Sequence, residues 1–249
     1  MNHMPVALAD LDDTLFQTAK KCPDGGTDGL RLMSRLVDGS PSGYATQLQQ
    51  NMLDWLRIGQ VIPVTARSRD VLARVDIEQA PAICSNGGCI VATGGGVDQD
   101  WHSHLTAQAS TTDSIADVYQ ALTSDMDTEA FRHWIVSENQ LPLFIVIKTN
   151  LDNHDVLGDL HANLEVHLPV EWRMHRNGNN LAYLPTWLNK RHAAKYLIEK
   201  IRADRPDVPI IGFGDSLSDV GFIDLCDYAM TPTQSQLWKN VIVDNDWIN

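Results

Sequence analysis

Five short apolar runs, each ending in polar or glycine residues, constrain the fold of this chain more than any other feature. Segments with apolar residues at helical spacing lie between them, at 46–57, 68–75 and 190–202. Short runs rich in Val and Ile are typical of buried parallel strands, and their alternation with helices predicts an α/β fold with a Rossmann-like, doubly wound parallel sheet. The runs lie at residues 5–9, 60–64, 81–84, 208–213 and 228–230.

The middle of the chain interrupts this alternation. Helices are predicted at 113–122 and 153–163 and a strand at 143–148, and segments 171–176 and 181–184 flank an Asn-Gly pair that predicts a hairpin. We therefore expect an inserted α+β domain at 93–180 and a core made of 1–92 and 181–249. The stretch 16–44 is predicted to be a long loop, with an enlarged flap over the site as the alternative.

Composition limits the classes of function. A chain of 249 residues with 43% hydrophobic and 20% charged residues is typical of a globular protein. Its 19 basic and 32 acidic residues give a formal charge of -13, with no basic run, so we expect neither nucleic acid nor membrane as a partner. No apolar stretch approaches the roughly 20 residues of a membrane span, and acidic residues stand near the start, so a cytoplasmic protein is expected. The oligomeric state stays open.

Polar residues follow four of the five apolar runs, where ligands bind in open α/β sheets. These stretches are Asp10-Leu11-Asp12-Asp13-Thr14, Thr65-Ala66-Arg67, Ser85-Asn86-Gly87-Gly88 and Gly214-Asp215-Ser216-Leu217-Ser218-Asp219, and Lys190 opens a helix before the fourth run. Convergent carboxylates need a cation, and Mg²⁺ prefers such oxygen ligands. A metal beside a lysine, a hydroxyl and a free carboxylate is suited to phosphoryl transfer, and a carboxylate can form an aspartyl-phosphate.

These residues, in this order and at strand ends, resemble the four motifs of the haloacid dehalogenase (HAD) superfamily: Asp10-x-Asp12-x-Thr14, Thr65, Lys190 and Gly214-Asp215-x-x-x-Asp219. An insertion between the second and third motifs resembles the C2 type of cap. The stretches 85–88 and 181–185 resemble the Cof-type branch, which includes sucrose-phosphate phosphatase. The resemblance implies a phosphatase that hydrolyses a phosphomonoester with Mg²⁺ as cofactor. It does not identify the substrate, and a small phosphorylated sugar is expected.

The resemblance also implies roles for individual residues. Asp10 would be the nucleophile and Asp12 the general acid and base, with Thr65 and Lys190 holding the phosphoryl group and the nucleophile. Mg²⁺ would be held by Asp10, Asp12, Asp215 and Asp219. Arg67 is a candidate substrate ligand that could equally pair with an acidic neighbour, and Asn86 is either a second substrate ligand or a turn residue. Ala66 and Ser218 depart from the Gly and Asn usual in the branch.

Three functions remain open from the sequence. The first is a hydrolase acting through an aspartyl-phosphate. A phosphomutase of the same fold shares the core chemistry and differs in whether water or a sugar hydroxyl accepts the phosphoryl group. A non-catalytic, phosphate-responsive regulatory module would use the same Asp, Thr and Lys residues, although it would have no use for Asp215, Asp219 or a large cap.

Overall fold

The structure is a computed structural model that describes residues 4–23 and 26–242. Strands and helices occur together in the first and last parts of the chain, and the residues between these parts form a largely antiparallel unit. The strands are β1 (Val6–Ala9), β2 (Gln17–Thr18), β3 (Arg31–Arg35), β4 (Pro41–Ala45), β5 (Gln60–Pro63), β6 (Ala82–Cys84), β7 (Cys89–Val91), β8 (Phe131–Glu138), β9 (Leu141–Thr149), β10 (Trp172–Asn177), β11 (Asn180–Pro185), β12 (Ile210–Phe213) and β13 (Tyr228–Met230). The α-helices are α1 (Gln47–Leu56), α2 (Arg69–Leu72), α3 (Gln99–Ala109), α4 (Ile115–Thr123), α5 (Val156–Leu164), α6 (Lys190–Asp204) and α7 (Val220–Ile223).

Four of the predicted strands form one parallel sheet, in the order β13-β12-β1-β5. All four residues of the central strand β1 are buried, which explains its uninterrupted apolar sequence. A parallel bridge between Val64 and Ile83 places β6 next to β5. The predicted parallel α/β sheet is thereby confirmed, and all its strands point the same way, so their carboxyl ends meet at one edge.

The two longest helices outside the insertion, α1 and α6, begin at side-chain caps. Thr46 and Gln49 form a reciprocal capping box at the start of α1, which buries Leu53 and Leu56. Asn189 caps α6 by accepting a hydrogen bond from the backbone N–H of Arg191 at 3.0 Å. Lys190 is therefore the first residue of α6, fixed by the cap that precedes it.

The inserted residues form a four-stranded antiparallel sheet in the order β10-β11-β9-β8. Helices α4 and α5 reach one face of it, where Tyr119 Oη lies 2.8 Å from Nδ1 of His133, and the hydroxyl of Tyr183 lies 3.2 Å from Nδ1 of His161. All helices and strands predicted for the inserted residues are present, and the insertion also contains α3 and β8. The predicted segments 171–176 and 181–184 leave four residues between them, but the hairpin turn has only two, because Asn177 pairs with Asn180. Gly178 in this turn has a φ of +55°.

The chain divides into two compact units, one holding Gln99–Leu188 and the other the residues up to Asp98 and from Asn189 onward. The expected boundaries were 92 and 180, so the observed ones lie a few residues further along the chain. Strand β11 explains the second difference, because its residues pair with β9 and β10 inside the inserted unit. The sequence alone places residues from 181 onward in the core.

The described residues of 16–44 include three strands, so the expectation of one long loop is wrong, and the flap stays a prediction. The three strands form an antiparallel sheet in the order β2-β4-β3. The buried ring of Phe16 packs against Gly43, where a Cβ would lie only 2.7 Å from a ring carbon. The strands are short and contain many polar residues, so they lack the apolar pattern by which strands are recognised.

Candidate active site

The sheet itself brings the first and fourth motifs together. Ala9, the last residue of β1, is paired with Phe213 at the end of β12, and the N–H of Asp10 donates to the carbonyl of Phe213 at 2.8 Å. Asp10 therefore lies beside Gly214. A Cβ at Gly214 would be 2.6 Å from the Cβ of Asp219, so only glycine allows Asp219 to lie this close.

Lys190 joins two of the predicted carboxylates. Its Nζ donates to Oδ1 of Asp10 at 2.6 Å and to Oδ1 of Asp219 at 2.8 Å, and all three side chains are buried. Burial by itself lowers the pKa of Lys190, but the two carboxylates outweigh it and raise that pKa above its ordinary value. Burial raises the pKa of Asp10 well above its usual range, against the opposing effect of Lys190. The lysine is therefore a fixed cation between two acids.

The fourth motif folds around its own carboxylate. Oδ2 of Asp219 accepts from the backbone N–H of Ser216 at 3.0 Å and from its hydroxyl at 2.8 Å, so the carboxylate cannot rotate freely. Asp215 receives a weaker hydrogen bond from the hydroxyl of Thr14, at 3.3 Å from Oδ1. Burial, followed by the charges of Asp219 and Asp13, raises the pKa of Asp215 to about 7.

Three of these carboxylates could hold a metal ion. One oxygen each from Asp10, Asp215 and Asp219 lie within 4.8 Å of one another. The second oxygens of Asp10 and Asp215 accept no hydrogen bond from the described residues and are available as ligands. Three carboxylates against one ammonium group leave an excess of negative charge, and an all-oxygen donor set fits a hard divalent cation such as Mg²⁺. The residues present therefore fit the predicted cofactor.

The carboxylate of Asp12 lies outside this cluster. Arg67 donates to both its oxygens, Nε to Oδ2 at 2.8 Å and Nη2 to Oδ1 at 2.7 Å, and its guanidinium lies over the ring of Phe16. The Asp12 side chain is 44% exposed and that of Arg67 only 17%. Of the two alternatives for Arg67, the structure shows pairing with an acidic neighbour. The side chain of Asp12 is not among the clustered carboxylates, and its role as a metal ligand stays a prediction.

Thr65 and Asn86 meet through the backbone. Thr65 is buried, and its hydroxyl accepts from the N–H of Arg67 at 3.1 Å. The N–H of Asn86 donates to the carbonyl of Thr65 at 3.1 Å, and Asn86 has a φ of +57°, as expected of a turn residue. The next residue, Gly87, approaches the carbonyl of Asn189 so closely that a Cβ would be 2.5 Å away. This turn thus supports both Thr65 and the start of α6.

Three residues that contact the site have no role predicted from the sequence. Thr14 belongs to the first motif, and its position four residues after Asp10 could have indicated a role at the site. Ser216 gives no such signal, because a serine that bonds a carboxylate three residues away is indistinguishable in sequence from any other loop serine. Phe16 gives none either, because its contact with Arg67 joins residues far apart in the chain.

A scan against protein-family models and a search of curated protein sequences found no match. Solved structures do match. A sucrose-phosphatase from a Synechocystis species, in complex with sucrose and phosphate, aligns with a TM-score of 0.58 at 18% identity over 99% of this chain and 89% of that one. A Thermoplasma acidophilum protein aligns at 0.54 and 15% identity over 94% and 86% of the two chains.

The C-terminal domain of trehalose-6-phosphate phosphatase from C. albicans aligns with a TM-score of 0.52 at 13% identity, over 89% of this chain and 73% of that one. Identities this low establish the fold. The matches confirm the predicted architecture, a Rossmann-like core with an inserted α+β unit.

Proposed function

We propose that the protein is a Mg²⁺-dependent phosphomonoester hydrolase that acts through an aspartyl-phosphate on Asp10. Its substrate would be a small phosphorylated metabolite, most simply a sugar phosphate. The protein would act in the cytoplasm, without nucleic acid or membrane as a partner. The observation that carries the proposal is the contact of Lys190 with both Asp10 and Asp219, beside Asp215 and two residues from Asp12. The proposed nucleophile, a cation and the proposed metal ligands thus lie together at the carboxyl-end edge of the parallel sheet.

Each residue has a step that its position supports. In the first step a carboxylate oxygen of Asp10 attacks phosphorus and the bond to the leaving oxygen breaks, while Asp12, as the acid, donates a proton to that oxygen. In the second step water attacks the phosphorus of the aspartyl-phosphate, Asp12 takes a proton from the water, and phosphate leaves with Asp10 regenerated. Bound Mg²⁺ would neutralise negative charge on the phosphoryl oxygens and on the nucleophile.

Supporting residues hold these groups in place. Lys190 keeps an oxygen of Asp10 fixed and offers positive charge to the phosphoryl group. Arg67 donates to both oxygens of Asp12 in its ionised form, the form that takes a proton from water in the second step. When Asp12 carries the proton for the first step, it gives up one of these two hydrogen bonds. The hydroxyl of Thr65, just beyond the end of β5, accepts from the N–H of Arg67 and would donate its own proton to a phosphoryl oxygen. Asn86 contributes through its backbone, and its side chain remains a proposed substrate ligand.

The choice of a sugar phosphate is supported by structures of the same fold. One is a sucrose-phosphatase with sucrose and phosphate bound, and another is a domain of trehalose-6-phosphate phosphatase. We therefore expect a substrate in which a phosphomonoester is attached to a hydroxylated ring.

The test is release of inorganic phosphate from p-nitrophenyl phosphate and a panel of sugar phosphates, with Mg²⁺ and with EDTA. We expect Mg²⁺-dependent turnover that Asp10→Asn abolishes. Asp76→Asn is the control, because Asp76 is an exposed carboxylate that pairs with Arg31 and is not part of the metal cluster, and this variant should retain most activity. A folded wild-type protein that releases no phosphate with Mg²⁺ present would overturn the proposal. Isomerised sugar phosphate without free phosphate would identify a phosphomutase instead.

A further inference from the structure

One face of the inserted sheet carries a row of polar side chains from all four strands. Arg132 of β8 is paired with Lys148 of β9, Lys148 with Asn180 of β11, and Asn180 with Asn177 of β10. Directly paired residues of antiparallel strands project to the same side, so these four side chains form one row, about 14 Å long at the usual strand spacing. We call it the polar row.

The polar row lies on the face opposite the helices. Helices α4 and α5 contact the sheet through His133 and Tyr183, which alternate along their strands with the residues of the row. Arg132 and Asn177 are exposed, and Lys148 and Asn180 are partly exposed. The row is therefore accessible to a small molecule.

Two positive charges face each other in the row without a compensating acid. Like charges at directly paired positions destabilise a sheet. Neither Arg132 nor Lys148 forms an ion pair with a carboxylate among the described residues, although acidic residues outnumber basic ones by 32 to 19. Burial and the neighbouring Arg132 lower the pKa of Lys148. By contrast Arg176, on the helix-covered face, lies 3.5 Å from the carboxylate of Asp155.

We propose that the polar row is a binding site for the anionic group, phosphate or carboxylate, of a small molecule. The guanidinium of Arg132 offers paired donors that match either anion, and the ammonium group of Lys148 adds a second charge. The amides of Asn177 and Asn180 can bond neighbouring hydroxyl or carbonyl groups. Trp134 lies on the same face two residues along β8 and is 41% exposed, which gives the non-ionic part of the ligand an aromatic surface.

The direct test is calorimetric titration of the full-length protein with inorganic sulfate, in EDTA and at constant ionic strength. We compare the wild type with the double variant Arg132→Gln, Lys148→Gln. We expect the variant to lose affinity at this site by at least about tenfold, as removal of charged hydrogen bonds should. The control Arg31→Gln, Lys195→Gln removes the same charge from the other unit, where both cations have acidic partners, and should bind like the wild type.

Equal sulfate binding by the wild type and the double variant would overturn the proposal, as would an absence of binding to the wild type. Sulfate bound at the active site would be common to both proteins and would cancel in the comparison. Should the double variant fold poorly, Lys148→Gln alone serves, since it removes one of two repelling charges. This titration needs no turnover, so it stands or falls independently of the proposed hydrolase activity.

Kinetics then identify the source of the anion. If the anion belongs to the substrate, the double variant should lose kcat/KM on a sugar bisphosphate but keep its rate on p-nitrophenyl phosphate, which has one anionic group. If it belongs to a separate effector, added sulfate should change the rate on p-nitrophenyl phosphate more in the wild type than in the double variant, in which only binding at the active site remains.

Discussion

Individual carboxylates at the site have two separate environments. Asp10, Asp215 and Asp219 converge within reach of one cation, whereas Asp12 is held by Arg67 outside that cluster. Contacts thus assign the four acidic residues of the motifs to two groups, a cluster that could hold a metal ion and a single carboxylate held by an arginine. Sequence spacing cannot make this assignment, because it does not show which carboxylate the arginine contacts.

This division predicts that two Asp→Asn variants behave differently. Asp12→Asn should lower kcat by about 10²- to 10⁴-fold, because it removes the proton donor and acceptor, and should leave the Mg²⁺ affinity almost unchanged. Asp215→Asn should weaken Mg²⁺ binding by at least about tenfold, because it removes a ligand. Calorimetric Mg²⁺ titration alongside phosphate-release kinetics measures both. Equal loss of Mg²⁺ affinity in the two variants would contradict the assignment.

At the scale of elements, strand ends and one helix start position the chemistry. The register of β1 with β12 determines that Asp10 lies beside the fourth motif, and the Asn189 cap determines where α6 begins. A change in the cap should therefore affect Lys190 directly.

We expect Asn189→Ala to lower the free energy of unfolding by about 1 kcal/mol and to reduce kcat, because the first turn of α6 loosens around Lys190. Thr46→Ala removes the equivalent cap of α1 and should have a similar cost in stability, with activity unchanged. Urea unfolding and phosphate release compare the two variants. Equal activity in both would show that the cap does not position Lys190.

The parallel sheet and most site residues could be predicted because buried strands have a clear apolar pattern and their carboxyl ends must meet. The sheet at 16–44 could not, since its polar strands resemble loop sequence. The pairing of Arg67 with Asp12 and the bonding of Asp219 by Ser216 depend on the tertiary structure, in which several alternative partners lie within reach. The polar row likewise depends on strand register, which the sequence of any one strand leaves undetermined.

For the whole molecule, we expect a formal charge of -13 and an internal acidic cluster to make stability depend on pH and on divalent cations. Among the described residues, no helix is both long and apolar enough to span a bilayer.

The pKa of Asp215, raised to about 7, sets the direction of the pH effect. A carboxyl group whose pKa is higher in the folded than in the unfolded state costs stability as pH rises from its ordinary value toward 7. We expect Mg²⁺ to raise the melting temperature more at pH 8 than at pH 5.5, because binding requires the carboxylate and relieves this cost. Thermal unfolding in Mg²⁺ and in EDTA measures the difference, which Asp215→Asn should reduce. A Mg²⁺ shift independent of pH would contradict this prediction.

The most direct test of the proposed mechanism is to quench the protein in acid during turnover of its best substrate and to locate the phosphoryl group by peptide mass spectrometry. We predict a phosphorylated peptide with the modification on Asp10, present with Mg²⁺ and absent from Asp10→Asn. Steady turnover by Asp10→Asn, or a phosphoryl group on another residue, would contradict the central claim that Asp10 is the nucleophile.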